Sequence, residues 1–387
     1  MKIVRIGFIP LVDAATLLIA VDKGFTAEEG LDVQLVREAS WSNIRDKLAI
    51  GLFDAAHLLA PMAVASNLGL GHVKAPLVSP ISLAMNGNAI TLSRKLFLEL
   101  QEASDDRLSD PAVSAKALGK IVQKRAEHGD EPLTFGMTFP FSMHNYELRY
   151  WLAEGGIDPD EDVRLVVLPP PYMVESLTRG QIDGFCVGAP WSSLAVDADV
   201  GIILHFGCEI FSRAPEKVLA MREAAAADDP DVAAALARAI SRAATYVDDP
   251  TNRDDVVSVL ARPDCIGVGH HAIRGTLAGQ INLDSRGGAR ACEDYLIFGK
   301  NNACRPDPRH AVWIYAQMLR WGQARFSTGL VEIAKAVYRP DLYDAAIGVR
   351  EVSSPSLPDV VGAFAGPDLD ERDLDSYLNG FDIGSKI

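Results

Sequence analysis

Four side chains in this sequence carry the raw materials of acid–base or nucleophilic chemistry: Asp13, His57, His144 and Cys186. A carboxylate can orient an imidazole base, and an imidazole can activate a thiol. The sequence around them does not develop that chemistry, because no G-x-S-x-G, H-E-x-x-H, P-loop or G-x-G-x-x-G pattern accompanies them. His57 sits in the apolar run Ala55 to Leu59 and reads as a satisfied strand histidine. Cys186 lies in another apolar run, where packing is the expected role. The His270-His271 pair has no third ligand at metal-binding spacing and reads as structural or surface. The five cysteines (Cys186, Cys208, Cys265, Cys292, Cys304) are odd in number, scattered and free of C-x-x-C, so reduced thiols in a cytosol are expected. The expectation is a binding protein rather than an enzyme, with no cofactor and no metal.

The elements that must position such residues show themselves in a repeat. Gly51-Leu-Phe-Asp54-Ala55 running to Pro61 and Gly180-Gln-Ile-Asp183-Gly184 running to Pro190 both read G-x-x-D-[AG]-x5-P, 129 residues apart. In each, a helical stretch (Ile44 to Ile50; Met173 to Thr178) ends at a glycine suited to a left-handed cap, and an apolar run then enters a proline-marked loop. One helix-to-strand unit used twice predicts two α/β lobes facing across a cleft, where small ligands are held.

Composition narrows the partners. At 387 residues, 48% hydrophobic and 23% charged, the chain has ample core for two lobes. A formal charge of −15 without a Lys/Arg cluster argues against nucleic acid and anionic membranes, while a small anion can still bind where donors converge locally. Lys2 and Arg5 precede an apolar stretch, Ile6 to Val21, that superficially resembles an export signal. Pro10 and Asp13 interrupt it and no small-residue cleavage site follows, so the expected location is cytoplasmic.

Along the chain, the pattern predicts a strand at Ile3 to Ile9, a helix at Ala14 to Lys23 stopped by Gly24, a strand at Asp32 to Arg37, and a helix Asn43 to Ile50 capped by Ser42. Asn88 to Leu92 is expected to cross into the second lobe. Gln101 to Pro132 reads as a surface insertion holding a helix that opens at Asp110-Pro111. Leu133 to Thr138, a helix from Ser142 to Glu154, Val163 to Leu168 and Gly184 to Val187 build the second α/β set. Asp229 before Pro230 opens an Ala-rich helix to Val247, and Ala311 to Ala324 is another. The tail from Ser353 is expected to be irregular, then helical around Glu371 to Leu378, with its acidic residues solvated. The expected domains are residues 1–90 with 214–387 as lobe I, and 91–213 as lobe II.

At the loops a resemblance becomes specific. Phe8-Ile-Pro-Leu-Val-Asp13, Trp41-Ser-Asn-Ile-Arg45, Asp54-Ala-Ala-His57-Leu-Leu-Ala-Pro61, Asn86-Gly87-Asn88, His144-Asn145-Tyr-Glu-Leu-Arg-Tyr150-Trp151, Pro169-Pro170-Pro171 and Cys186-Val187-Gly188-Ala189-Pro190-Trp191 occur in an order similar to that of the nitrate- and bicarbonate-binding branch of the ABC-transporter solute receptors. Within that branch the first ninety residues most resemble the cytoplasmic nitrate/nitrite sensor of the NasS type. The resemblance implies a two-lobed, type II periplasmic-binding-protein-like fold. It also implies a sensor that closes on nitrate or nitrite and releases an antiterminator of the NasT type. Its ligand positions map onto Trp41, Asn88, His144, Gly188 and Lys217, with Pro170 and Val187 shaping the wall.

Those residue types suit the ligand. Nitrate is planar and offers only weak acceptors, so its site needs convergent donors. Trp41 offers an indole N–H, Asn88 an amide, Gly188 an unobstructed backbone, His144 a place in a first helical turn, and Lys217 the balancing charge. Each also has a plainer role. Trp41 reads as a hydrophobic staple, Asn88 as a turn residue, His144 as a cap, Pro169 to Pro171 as a stiff connector, and Lys217 as a solvated charge. The bicarbonate binders of the branch look different, using an acidic side chain and a metal ion, so Lys217 favours nitrate or nitrite. Asn88 departs from the Gln usual in the transport-type nitrate receptors, which changes reach. An exported receptor and a biosynthetic enzyme on the same fold are the alternatives.

Overall fold

The computed structural model describes residues 1–71, 74–104, 106–348 and 360–384. Its strands, in chain order, are β1 (Lys2–Phe8), β2 (Leu31–Arg37), β3 (Ala55–Leu59), β4 (Leu77–Asn86), β5 (Asn88–Ser93), β6 (Thr134–Met137), β7 (Arg164–Val167), β8 (Gly184–Gly188), β9 (Gly201–Phe206), β10 (Pro215–Arg222), β11 (Gln280–Asn282), β12 (Ala289–Ala291) and β13 (Leu296–Ile297). Two mixed sheets organise them. Lobe I is built on the order β13-β4-β10-β3-β1-β2 and lobe II on β7-β6-β8-β5-β9. In each lobe three strands run parallel, β2-β1-β3 and β7-β6-β8, and the strand entering next to them is antiparallel.

The sequence repeat is the same structural device twice. Gly51 and Gly180 take left-handed φ of 82° and 66°, which a side chain would disfavour. The aspartate three residues on then clamps the neighbouring parallel strand. Asp54 accepts the Arg5 N–H at 2.7 Å and returns its own N–H to the Arg5 carbonyl at 2.9 Å. Asp183 accepts the Thr134 N–H at 2.8 Å and donates to the Thr134 carbonyl at 2.7 Å. Each clamp fixes the register of β3 on β1 and of β8 on β6.

Helices cover the sheets where the apolar periodicity placed them. The helix Pro230–Asp248, capped by Asp229, buries Val232, Leu236, Ile240 and Val247 with a line of alanines against the lobe I core. Fully burying such branched side chains contributes about 1.5–3 kcal/mol each. Among the described residues, no helix is long and apolar enough to cross a membrane.

Four expectations are corrected. The crossover lies at Asn86-Gly87, both at positive φ, so Asn88 to Ile90 already belong to the second sheet rather than to lobe I. Ser40, not Ser42, caps the helix Trp41–Ala49, its hydroxyl accepting the Asn43 N–H, which makes Trp41 the first helical residue. The helix expected from Asp110-Pro111 is present as Pro111–His128, but it is packed rather than laid on the surface: it buries Ala115, Leu118 and Ile121, and Gly119 meets Gly155 too closely for any Cβ. The tail is docked as well as acidic. Phe211 bridges Ala363, Tyr150 donates to the Ala365 carbonyl, and Leu374, Tyr377, Leu378 and Phe381 are buried around the helix Leu374–Asn379. Ser353 to Pro358 lie outside the described residues.

Candidate functional site

The carboxyl ends of the parallel strands in both lobes face one another, which is where open α/β sheets present their ligand loops. Asp13 lies in the 3-10 turn after β1, Trp41 starts the helix after β2, and His57 is within β3. From lobe II, His144 lies in the first turn of the helix Met143–Glu154 after β6, Pro170 begins the 3-10 turn after β7, and Gly188 ends β8. The loops are drawn together. Val12 donates its N–H to the Ala189 carbonyl at 2.9 Å, joining a lobe I loop to a lobe II loop.

At the centre lies Lys217, on β10 and only 1% exposed. Its Nζ stands 2.9 Å from Asp13 Oδ2, 2.5 Å from Glu216 Oε1, and 5.4 Å from the centre of the Trp41 ring. Consecutive strand residues normally point to opposite faces, yet Glu216 and Lys217 meet. The register explains this: Pro215 pairs with Met85 and Lys217 with Ala84, so Glu216 is an extra residue in a bulge that re-aims its side chain. Asn88 donates from Nδ2 to Glu216 Oε2 at 2.8 Å and to Glu147 Oε1 at 3.2 Å, and the Cys186 thiol donates to Glu147 Oε2 at 3.0 Å. His144 Nε2 is 3.5 Å from Glu216 Oε1.

The protonation states follow from burial and neighbours. Burial raises the Asp13 carboxyl, but Lys217 and His57 outweigh it and bring it down to about 2. Burial works against charged Lys217, yet Asp13 and Glu216 overcome it and hold its pKa above the usual value. Burial, with the Glu216 charge adding to it, pushes Glu147 up to about 8, so it is a neutral acid at pH 7. Burial likewise raises Glu216, against the pull of Lys217. Both imidazoles are pushed towards the neutral form, His144 by burial and Lys217, His57 by burial against Asp13.

Several donors remain unspent. His57 Nδ1 accepts the Ile9 N–H at 3.4 Å, leaving the proton on Nε2. That atom stands 2.9 Å from Asp13 Oδ1, close enough to pair with its charge although off the line of a full hydrogen bond. The His144 Nδ1 contacts the Thr138 hydroxyl at 3.0 Å, and with that hydroxyl donating, Nε2 carries the proton and makes no hydrogen bond. The Trp41 indole N–H has no partner either. Buried donors without acceptors are costly, so they mark a place built for an acceptor-rich group.

The structure thus brings together Trp41, Asn88, His144, Gly188 and Lys217. It changes the expected role of two residues. Both Asn88 donors are spent on carboxyls, leaving its Oδ1 as a buried, unpartnered acceptor. Val187 packs with Met173, Leu177, Ile182, Phe185 and Ala195 on the face of β8 opposite Cys186, so its side chain turns from the cleft. Pro170 is buried at the head of its turn, after β7. Sequence reasoning passed over Glu147 and Glu216 and set aside Asp13, His57 and Cys186. One signal was available: Glu147 follows His144 by three residues, on the same helical face. Among the described residues, no cluster of His, Cys, Asp and Glu is arranged to hold a metal ion.

Comparison with known proteins bears on the family and the fold. A profile described as the NMT1-like family matches residues 1–261. Two curated relatives are the nitrate import ATP-binding protein NrtC of Synechocystis sp., 37% identical over 99% of this chain, and the bicarbonate transport ATP-binding protein CmpC of Synechococcus elongatus, 34% identical over 98%. The chain spans about half the length of these relatives, 55% of each. The crystal structure of the periplasmic nitrate-binding protein NrtA from Synechocystis PCC 6803 shares the two-lobed fold, with a TM-score of 0.89, 29% identity and 99% coverage of each chain.

Proposed function

The chain belongs to the NMT1-like family, close to the NrtA nitrate-binding proteins, and on that premise we propose that it is a binding protein that closes its lobes on nitrate or nitrite for an ABC import system. The observation that carries the reading is a buried lysine flanked by unspent N–H donors, from Trp41 on one side and His144 on the other. The Glu216 carboxylate supports this reading as a stand-in for the anion. It is planar, like nitrate, and already faces Lys217, Asn88 and His144. An incoming anion takes over those donors and displaces or protonates Glu216, because a further unneutralised charge in this buried site would be prohibitive. Closure needs roughly 5 kcal/mol of differential affinity to move lobes from mostly open to mostly closed, within reach of several charge-assisted hydrogen bonds. The reading is of binding without turnover.

One observation favours a second ligand. The free Asn88 Oδ1 is an acceptor that a nitrate cannot satisfy and a bicarbonate hydroxyl can. Calorimetric titration of ligand-stripped protein with nitrate, nitrite, bicarbonate and sulfate separates the two. Saturable binding of nitrate or nitrite alone supports the main reading. Binding of bicarbonate alone replaces it, and no binding of any of them removes the anion site.

The narrower reading, a cytoplasmic sensor that releases a NasT-type antiterminator, adds a partner and a location, and the import proteins it resembles lend that addition no support. Fractionation of cells expressing the natural full-length gene tests it: recovery with the cytosol keeps the sensor alive, and export leaves the receptor reading.

A further inference from the structure

Cys208 and Cys292 are 84 residues apart in the chain, yet their sulfurs lie 3.3 Å from each other. Both are free thiols and both are partly exposed; Cys292 stands between exposed Ala291 and Glu293. From this juxtaposition we infer that the pair is a disulfide-forming modification site that fastens lobe I to lobe II.

The two cysteines sit on segments that lead into different sheets. Cys208 follows directly on β9 of the second sheet, in the short helix Gly207–Ile210 that begins the return crossover. Cys292 leaves the β11–β12 hairpin and is four residues from β13, which pairs with β4 in the first sheet. That hairpin is an arm laid on lobe II: the Leu283 carbonyl accepts the Ile203 N–H at 2.9 Å, and Asp284 pairs with Arg94 at 2.9 Å. The thiols are held in register by neighbours on both segments. Arg290 pairs with Glu209 at 2.7 Å and lies 4.1 Å over the Phe206 ring, while Phe206 meets Tyr295 edge-on at 5.0 Å between centroids. Such a framework brings the sulfurs together without requiring the backbone to move far.

The chemistry is thiol–disulfide exchange with a small oxidised disulfide such as oxidised glutathione. The Cys208 thiol leans on Cys292 and stabilises its thiolate, with Arg290 assisting. Cys292 attacks one sulfur of the oxidant and releases one small thiol, giving a mixed disulfide. Cys208 then attacks the Cys292 sulfur and releases the second. Two protein thiols have lost two electrons and two protons, and the oxidant leaves as two thiols. The closed staple restrains the hairpin arm across the crossover and so restrains lobe opening.

The test needs no anion, so its outcome is independent of the nitrate reading. The full chain, reduced and then exchanged into oxidised glutathione, should fall by two from its five titratable thiols, and peptide mapping should join the Cys208 peptide to the Cys292 peptide. Cys208→Ser and Cys292→Ser should each prevent that crosslink, while Cys265→Ser leaves it intact. Hydrogen exchange of the hairpin amides, residues 280–291, should slow several-fold on oxidation and recover with reductant. A titre that stays at five, or a crosslink to another cysteine, overturns the site. A crosslink that leaves hairpin exchange unchanged overturns the fastening role.

Discussion

The two copies of the G-x-x-D-[AG]-x5-P unit share a backbone and differ in the charge they bring to the cleft. Three residues past the clamping aspartate, lobe I places His57 and lobe II places Cys186, each beside a carboxyl from its own lobe, Asp13 and Glu147 respectively. In lobe I that carboxyl also meets Lys217 and is held ionised. In lobe II Asn88 and a thiol are its hydrogen-bonding partners, and it stays protonated near neutral pH. Five residues past the aspartate the units differ again, with Leu59 in one and Gly188 in the other. The lesson is that one scaffold supplies a charged wall and a neutral wall, and the difference lies in side chains rather than in the fold.

The sharpest way to break this comparison is to remove the charge that defines lobe I. Lys217→Met should abolish anion binding in calorimetry and, by leaving Asp13 buried and unpaired, cost about 3–5 kcal/mol in urea unfolding. The neutral-wall counterpart, Glu147→Gln, should cost far less at pH 7. A Lys217→Met protein as stable as its parent would show that the ion pair is not what sets the lobes apart.

Stability against pH should separate the walls next. The Asp13 pKa is depressed to about 2, so its contribution of about 2 kcal/mol is present above pH 4 and lost as pH falls through 2. Glu147 is raised to about 8, so its contribution is full below pH 4.5 and declines as pH rises towards 8. Thermal melts should therefore show an acid limb removed by Asp13→Asn and a decline between about pH 4.5 and 8 removed by Glu147→Gln. If one variant removes both limbs, the two walls titrate as one unit.

A smaller effect is expected where the units diverge in size. A Cβ on Gly188 would lie 3.4 Å from Asp13 Oδ2 and 3.5 Å from Asn88 Oδ1, close but tolerable. Gly188→Ala should keep Tm within a degree or so and weaken nitrate about tenfold, equivalent to about 1.4 kcal/mol. Unchanged affinity would remove Gly188 from the ligand wall. The smallest effect tests the shared part: Asp54→Ala and Asp183→Ala should each cost about 1 kcal/mol, because each removes one hydrogen bond to a strand N–H. Unequal costs would mean that the repeat is alike in sequence only.

Much of the fold was legible because its signals are local. The strand Ala55–Leu59, the helix Met173–Thr178 and the helix opened by Asp229-Pro230 were readable from periodicity and capping chemistry, which act within a few residues. Asn88 was misplaced because a crossover and a strand start look alike when a turn glycine precedes both. Val187 was misjudged as wall because the resemblance named the position, while strand alternation decides which face its side chain takes.

By itself, then, the sequence determined the repeated unit and the α/β elements of the two lobes, since these depend on short-range pattern, while the resemblance pointed to several of the side chains that meet in the cleft. Only the tertiary structure decided what those side chains do. A bulge turned Glu216 onto Lys217, folding brought Glu147 to Asn88, and Cys208 met Cys292 across 84 residues. Charge pairing, burial and long-range proximity arise between segments, and no local pattern encodes which partner a buried side chain will meet.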